Sequence, residues 1–199
     1  MQIIIGLGNP GARYARTRHN FGYWALDALA ASQGLSFAPG QGDYVLAVRE
    51  SAELVLAKPT GFMNASGIPV RELLMFFQTE PEDMLVIFDD IDLPLGSLRF
   101  RPSGGAGGHK GMTSVIYHLE TEDFPRLRLG IATDAPMRPS EQYVLEPFRS
   151  IDGPVVTQVL DQAVEGIEYY LERGIEATMS RFNTHLTEAG MEAGKAGLN

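Results

Sequence analysis

Two stretches, "QIIIGL" at residues 2–7 and "DMLVIFDDIDL" at residues 83–93, are apolar runs rich in isoleucine, leucine and valine that stop at glycine or at acids. A strand with one wet face alternates, so an unbroken run implies burial on both faces and helices on both sides of a sheet. The rest of the chain fits that demand. "FGYWALDALAAS" and "SGIPVRELLMFFQ" carry apolar residues at helical spacing, the second with Ser66 as its expected N-cap. "DYVLAVRE" and "ELVLAKP" read as a hairpin around Ser51 and Ala52, "GSLRFRP" and "PRLRLGIAT" as further strands, and "GGAGGHKGMTSVIYHL" as a glycine loop entering a helix. Two helical stretches, 155–172 and 175–182, follow Pro154. The expectation is an α/β fold, a three-layer sandwich with a mixed twisted sheet flanked by helices. One domain is expected over residues 1–185, with a flexible tail over the small, polar residues 186–199.

"GLGNPG", Gly6 to Gly11, formally matches the dinucleotide fingerprint and follows a strand. That reading fails on two counts. The helix should begin at the third glycine, yet Pro10 and then "RYARTRHN" intervene before the helical pattern starts at Phe21. The acid that would hold a ribose hydroxyl is also missing, because its position falls in "LAASQGLS". "GGAGGHKG" is no phosphate loop either, since His109 precedes Lys110 and Gly111 follows it. No cofactor is expected. Without cysteine, disulfides and thiolate metal sites are excluded, and His19, His109, His118 and His185 show no ligand spacing, so no metal is expected either.

The net charge of −9 argues against a nucleic-acid partner only if the charge is evenly spread. It is not: residues 1–26 carry Arg13, Arg16 and Arg18 and no acid, and Arg99, Arg101, Lys110, Arg126 and Arg128 lie in one later segment. No apolar run is long enough to span a membrane, and the N-terminus lacks the layout of a signal peptide. A soluble, cytoplasmic protein is the expectation.

Polar residues collect where strands should end: Asn9, Tyr14, His19 and Asn20 after the first, Asn64 in "GFMNASG", the acids of "FDDID", and His109 among glycines. If the strands are parallel, loops at their carboxyl ends meet in one crevice. Alternation puts Asp89 and Asp90 on opposite faces without choosing between them.

The motifs "GLGNPGARYARTRHNFG", "KPTGFMNASG", "DDIDLPLGSLRFRPSGGAGGHKGM" and "FPRLRLGI", in this order, resemble bacterial-type peptidyl-tRNA hydrolases from about Ile3 to about Phe182. The resemblance implies hydrolysis of the ester between a peptide and the terminal ribose of tRNA, by a monomer, without cofactor or metal. It implies His19 as general base, Asp89 as its orienting carboxylate, Asn64 as a contact to the tRNA end that positions water or polarises the carbonyl, and Asn9 as the reader of blocked amino groups. Tyr14 and Phe62 match tRNA-contacting aromatics, Arg101 and Arg128 match phosphate-clamping positions, and His109 is a supporting residue. Lys110 departs from the family's usual asparagine, and a charge contact to tRNA is expected of it. Two alternatives stand beside this reading: a non-catalytic RNA-binding relative of the splicing-factor kind and, more remotely, a nicotinamide-dependent oxidoreductase.

Overall fold

The computed structural model describes residues 1–134, 137 and 139–183, so the expected tail at 186–199 lies outside the described residues. Seven strands form one sheet: β1 (Gln2–Gly6), β2 (Ala38–Pro39), β3 (Tyr44–Arg49), β4 (Leu54–Pro59), β5 (Met84–Pro94), β6 (Leu98–Arg101) and β7 (Arg126–Ala132). Their order is β2-β3-β4-β1-β5-β7-β6. β4, β1, β5 and β7 run parallel, while β2, β3 and β6 pair antiparallel at the margins. The two unbroken apolar runs are therefore the central pair, β1 and β5.

Burial follows the alternation. Ile4 of β1 and Leu85 and Ile87 of β5 join one core with helix α1 (Phe21–Ser32) and the long helix α5 (Gly153–Phe182). Ile3 and Ile5, with Met84, Val86 and Phe88, join a second core with helices α2 (Gly67–Phe77) and α3 (Lys110–Leu119). The three layers expected from the sequence are present. A short helix, α4 (Ser140–Val144), is not signalled by any periodicity. The break expected between the two C-terminal helical stretches is a bend within α5 at Gly174, whose φ of +75° suits glycine. Ser66 does occupy the N-cap of α2, but its hydroxyl donates back to the Met63 carbonyl at 2.8 Å. The Gly67 N–H donates instead to Ser114 Oγ of α3 at 3.0 Å, so a neighbouring helix supplies the cap.

The glycines of "GLGNPG" have packing duties. A Cβ on Gly6 would lie 2.5 Å from the Gly22 carbonyl oxygen, and one on Gly22 would strike the carbonyls of Ile87 and, at 2.7 Å, Leu7. Helix α1 therefore touches β1 and β5 backbone to backbone. A Cβ on Gly8 would meet the Tyr23 ring at 2.6 Å, and Gly11 turns at φ +92°. Among the described residues, no helix is long and apolar enough to cross a membrane. Gly22→Ala should cost about 1–3 kcal/mol or more by overpacking a backbone contact that cannot yield, and urea denaturation of the purified variant measures it.

Candidate active site

Because β4, β1 and β5 are parallel, the chain leaves all three at the same end of the sheet, and the expected polar residues meet there. They line a cavity of about 580 Å³ with contributions from Asn9, Tyr14, His19, Phe62, Asn64, Asp89, His109 and Lys110. Ile91, Val144 and Leu145 add apolar wall.

Asp89 lies within the buried run of β5 and is 2% exposed. A 3₁₀ turn, Arg18–Asn20, immediately precedes α1 and sets His19 over the strand end. His19 Nδ1 lies 2.9 and 3.0 Å from the two Asp89 oxygens. A carboxylate accepts, so Nδ1 carries the proton and Nε2 keeps its lone pair. Asp90 has turned to the other side, as alternation requires: its Oδ2 accepts from Arg128 Nε at 2.5 Å, and its Oδ1 accepts from the Asp92 N–H. The sequence alone leaves these two acids equivalent; register separates them.

His109 makes a contact that sequence spacing does not announce. Its Nε2 lies 3.1 Å from Asp89 Oδ1, while its Nδ1 accepts from the Met112 N–H at 3.1 Å and so caps α3. An N–H can only donate, so Nδ1 is bare and the proton sits on Nε2, pointed at Asp89. The ring is thereby neutral and fixed, lying 4.7 Å from the His19 ring, centroid to centroid. Thus two imidazoles and a carboxylate converge, their ligand-type atoms within 4.8 Å of one another, despite unremarkable histidine spacing. Hydrogen bonds account for the approach. Burial alone would raise the Asp89 pKa, but the His19 and His109 rings outweigh it and hold the carboxyl below its usual range. Asp89 is consequently an anion at neutral pH.

Asn9 is also nearly buried, and its Oδ1 accepts from the Met63 N–H at 2.9 Å. Asn64 is exposed at the cavity, and its side chain has no hydrogen-bond partner among the described residues. Phe62, 59% exposed, meets Tyr14 edge to face with ring centroids 6.2 Å apart. Lys110, the first residue of α3, points outward at the rim, where its Nζ is 3.9 Å from Glu141 of α4. Both partners are well exposed, so this pair contributes at most about 1 kcal/mol.

Arg101 and Arg128 lie apart from the cavity, on β6 and β7. Arg128 is ion-paired with Asp90. Their neighbour Arg126 is buried and donates to the carbonyls of Gly104, Gly105, Glu122 and Phe124. Burial pushes its guanidinium down to about 10, against the opposing charge of Glu122, so it remains a cation clamping the loop before His109. Arg18 is likewise structural: its guanidinium stacks 4.0 Å from the Tyr143 ring centroid and donates to the Tyr143 carbonyl. Neither of these buried roles is visible in the spacing of arginines along the sequence.

Comparison with known proteins gives a consistent result. The sequence profile of the family described as Peptidyl-tRNA hydrolase matches residues 3–190. Relatives bearing that name include one from Desulfitobacterium hafniense, 42% identical over 92% of this chain and 100% of its own length. Another, from Symbiobacterium thermophilum, is 45% identical over 92% and 99%. The crystal structure of peptidyl-tRNA hydrolase from Acinetobacter baumannii superposes with a TM-score of 0.86, at 29% identity over 93% of this chain and 95% of that one.

The hydrogen-bond pattern fixes both tautomers. Long-range ¹H–¹⁵N NMR above the titration of both rings should show His19 protonated at Nδ1 and His109 at Nε2. Asp89→Asn should disturb His19 while leaving the His109 Nδ1 acceptor in place. A His109 ring protonated at Nδ1 would contradict the cap geometry.

Proposed function

The chain belongs to the peptidyl-tRNA hydrolase family, and we propose that it cleaves the ester between the peptide and the terminal ribose of tRNA with His19 as general base. The observation that carries this reading is the His19–Asp89 pair, which leaves Nε2 of a buried, oriented imidazole as the basic atom at a cavity that also presents the amides of Asn9 and Asn64. Water is a poor nucleophile at neutral pH, and loss of its proton to Nε2 during attack removes that obstacle. Asp89 stabilises the imidazolium that forms and keeps the ring turned, as in a serine hydrolase triad whose nucleophile is replaced by water. The tetrahedral intermediate carries its negative charge on the former carbonyl oxygen, to which the Asn64 amide donates without titrating. Collapse breaks the bond to the ribose oxygen, which recovers the proton from His19. The products are a peptide carboxylate and tRNA with a free ribose hydroxyl, and no step calls on a cofactor or metal.

The remaining residues act on binding. The exposed Phe62 and its partner Tyr14 offer a surface on which the terminal adenine or sugar stacks. Arg101 and the outward nitrogens of Arg128 meet backbone phosphate, and His109 supports Asp89. Asn9 hydrogen-bonds the first peptide group, which a free aminoacyl ester lacks. We read residues 1–185 as one catalytic domain, acting as a monomer in the cytoplasm; that the residues of the proposed chemistry meet at one end of a single sheet supports the single domain. The splicing-factor-like and oxidoreductase alternatives find no support in the relatives, and the glycines of the fingerprint are occupied in packing.

Parallel incubation with N-acetyl-aminoacyl-tRNA and aminoacyl-tRNA tests the reading: the first should be hydrolysed and the second spared. His19→Asn should remain folded and bind tRNA, yet lower kcat by about 100-fold or more. A near-normal kcat in a pure preparation would remove His19 from its role. Lys110→Ala should raise KM with little change in kcat and reduce the slope of log affinity against log salt by about one, as for the loss of one phosphate contact. A large fall in kcat at unchanged salt slope would instead place Lys110 in the chemistry.

A further inference from the structure

Asn9 does not hold its own position. It sits in a turn between Gly8 and Pro10, where no regular element fixes the peptide planes. Asn20, 3% exposed, grips it with both ends of one amide: Oδ1 accepts from the Asn9 N–H at 2.8 Å, and Nδ2 donates to the Asn9 carbonyl at 3.0 Å. These two bonds imitate a strand partner and are the side-chain hydrogen bonds that Asn20 makes among the described residues. A third bond orients the Asn9 side chain, because the Met63 N–H can only donate and so selects Oδ1. The single group Asn9 can then offer the cavity is Nδ2, a donor.

A donor-only reader has a definite preference. The acyl carbonyl on a blocked α-nitrogen is an acceptor and pairs with it. A free α-ammonium brings only N–H donors and positive charge, and Nδ2 then stays unpaired in a nearly buried place, which is where discrimination becomes large. The alignment of Nδ2 depends on the backbone that Asn20 clamps.

We propose that Asn20 is a positioning residue for substrate selection: by fixing the Asn9 backbone, it makes the enzyme respond to a carbonyl acceptor on the α-nitrogen and not merely to the absence of charge there. This rests on the functional reading above. Three substrates separate the two criteria: N-acetyl-aminoacyl-tRNA has the acyl carbonyl, α-hydroxyacyl-tRNA lacks both that carbonyl and the charge, and aminoacyl-tRNA lacks the carbonyl and is charged. Wild-type enzyme should favour the first strongly over the other two.

The variants are Asn20→Ala and Asn20→Asp, the latter of equal size but with an oxygen facing the Asn9 carbonyl in place of the donor. In each, kcat/KM for N-acetyl-aminoacyl-tRNA should fall about tenfold, while that for α-hydroxyacyl-tRNA stays within about twofold. In the alanine variant, which adds no charge beside His19, the pH profile of kcat should keep its wild-type shape. If the alanine variant fails to fold, the substrate preference of the aspartate variant carries the test. Equal losses on both substrates or an unchanged preference in a folded variant, or an altered pH profile of the alanine variant, would each overturn the assignment. A wild-type enzyme that cleaves α-hydroxyacyl-tRNA as readily as the N-acetyl ester would overturn the carbonyl criterion, whereas one that does not prefer the N-acetyl ester to aminoacyl-tRNA would overturn the functional reading itself.

Discussion

At Gly22 the first turn of helix α1 meets the backbone of β1 and β5 with no side chain between them, and the rest of the site depends on that contact. Gly6 and Gly22 remove the two Cβ atoms that would hold the surfaces apart, and the Leu7 N–H continues the pairing of β1 with β5 by donating to Ile87 at 2.9 Å. The 3₁₀ turn that opens the helix is thereby set directly over the end of β5. His19 meets Asp89 from a buried position, with little conformational freedom left in either side chain. A general base works through short, well-aligned contacts, and an ångström of displacement can cost a hundredfold in rate. Close backbone packing is therefore the source of the proposed catalytic geometry.

Each inner polar residue is then held by another, and His19 and Asn9 each retain one unpaired side-chain atom. Asp89 is shared by two imidazoles, His109 is fixed by the first turn of α3, and Asn9 is fixed by Asn20 and Met63. What is left over is one lone pair on His19 and one donor on Asn9, a minimal pair for the proposed activation of water and reading of an acyl group. The outer residues have the opposite character. Asn64, Phe62 and Lys110 are exposed and loosely held, which suits contacts to a large ligand whose peptide varies. Rigidity is concentrated where the chemistry is shared by all substrates.

The layered sheet was legible because unbroken apolar runs at β1 and β5 admit few alternatives, and the shared end of the parallel strands followed from it. The choice between Asp89 and Asp90 was not, since strand parity separates the two without saying which face receives the histidine. The clamp on Asn9, the histidine partner of Asp89 twenty residues downstream and the burial of Arg126 are all tertiary contacts without local pattern. The capping of α2 by Ser114 is of the same kind. "GLGNPG" was misleading for a physical reason: a dinucleotide fold and this one both use glycine to bring a helix onto a strand. The signal reports close packing in either case, and only the residues that follow tell whether a pyrophosphate is also bound.

Charge at the sheet edge explains how a chain of net charge −9 can serve a polyanionic substrate without holding it. Register pairs Arg99 with Arg128 and Arg101 with Arg126, so four arginines share one face of β6 and β7. Two of them are already committed: Arg126 to loop carbonyls, and Arg128 to Asp90. In the proposed role the remaining cations draw phosphate toward the edge, while the ion pair with Asp90 limits how strongly Arg128 can do so. Electrostatic binding to nucleic acid is largely indifferent to sequence and steepens with each phosphate contact. An enzyme that must release one tRNA and accept any other benefits from few such contacts, which in the proposed mechanism leaves discrimination to the buried amide of Asn9.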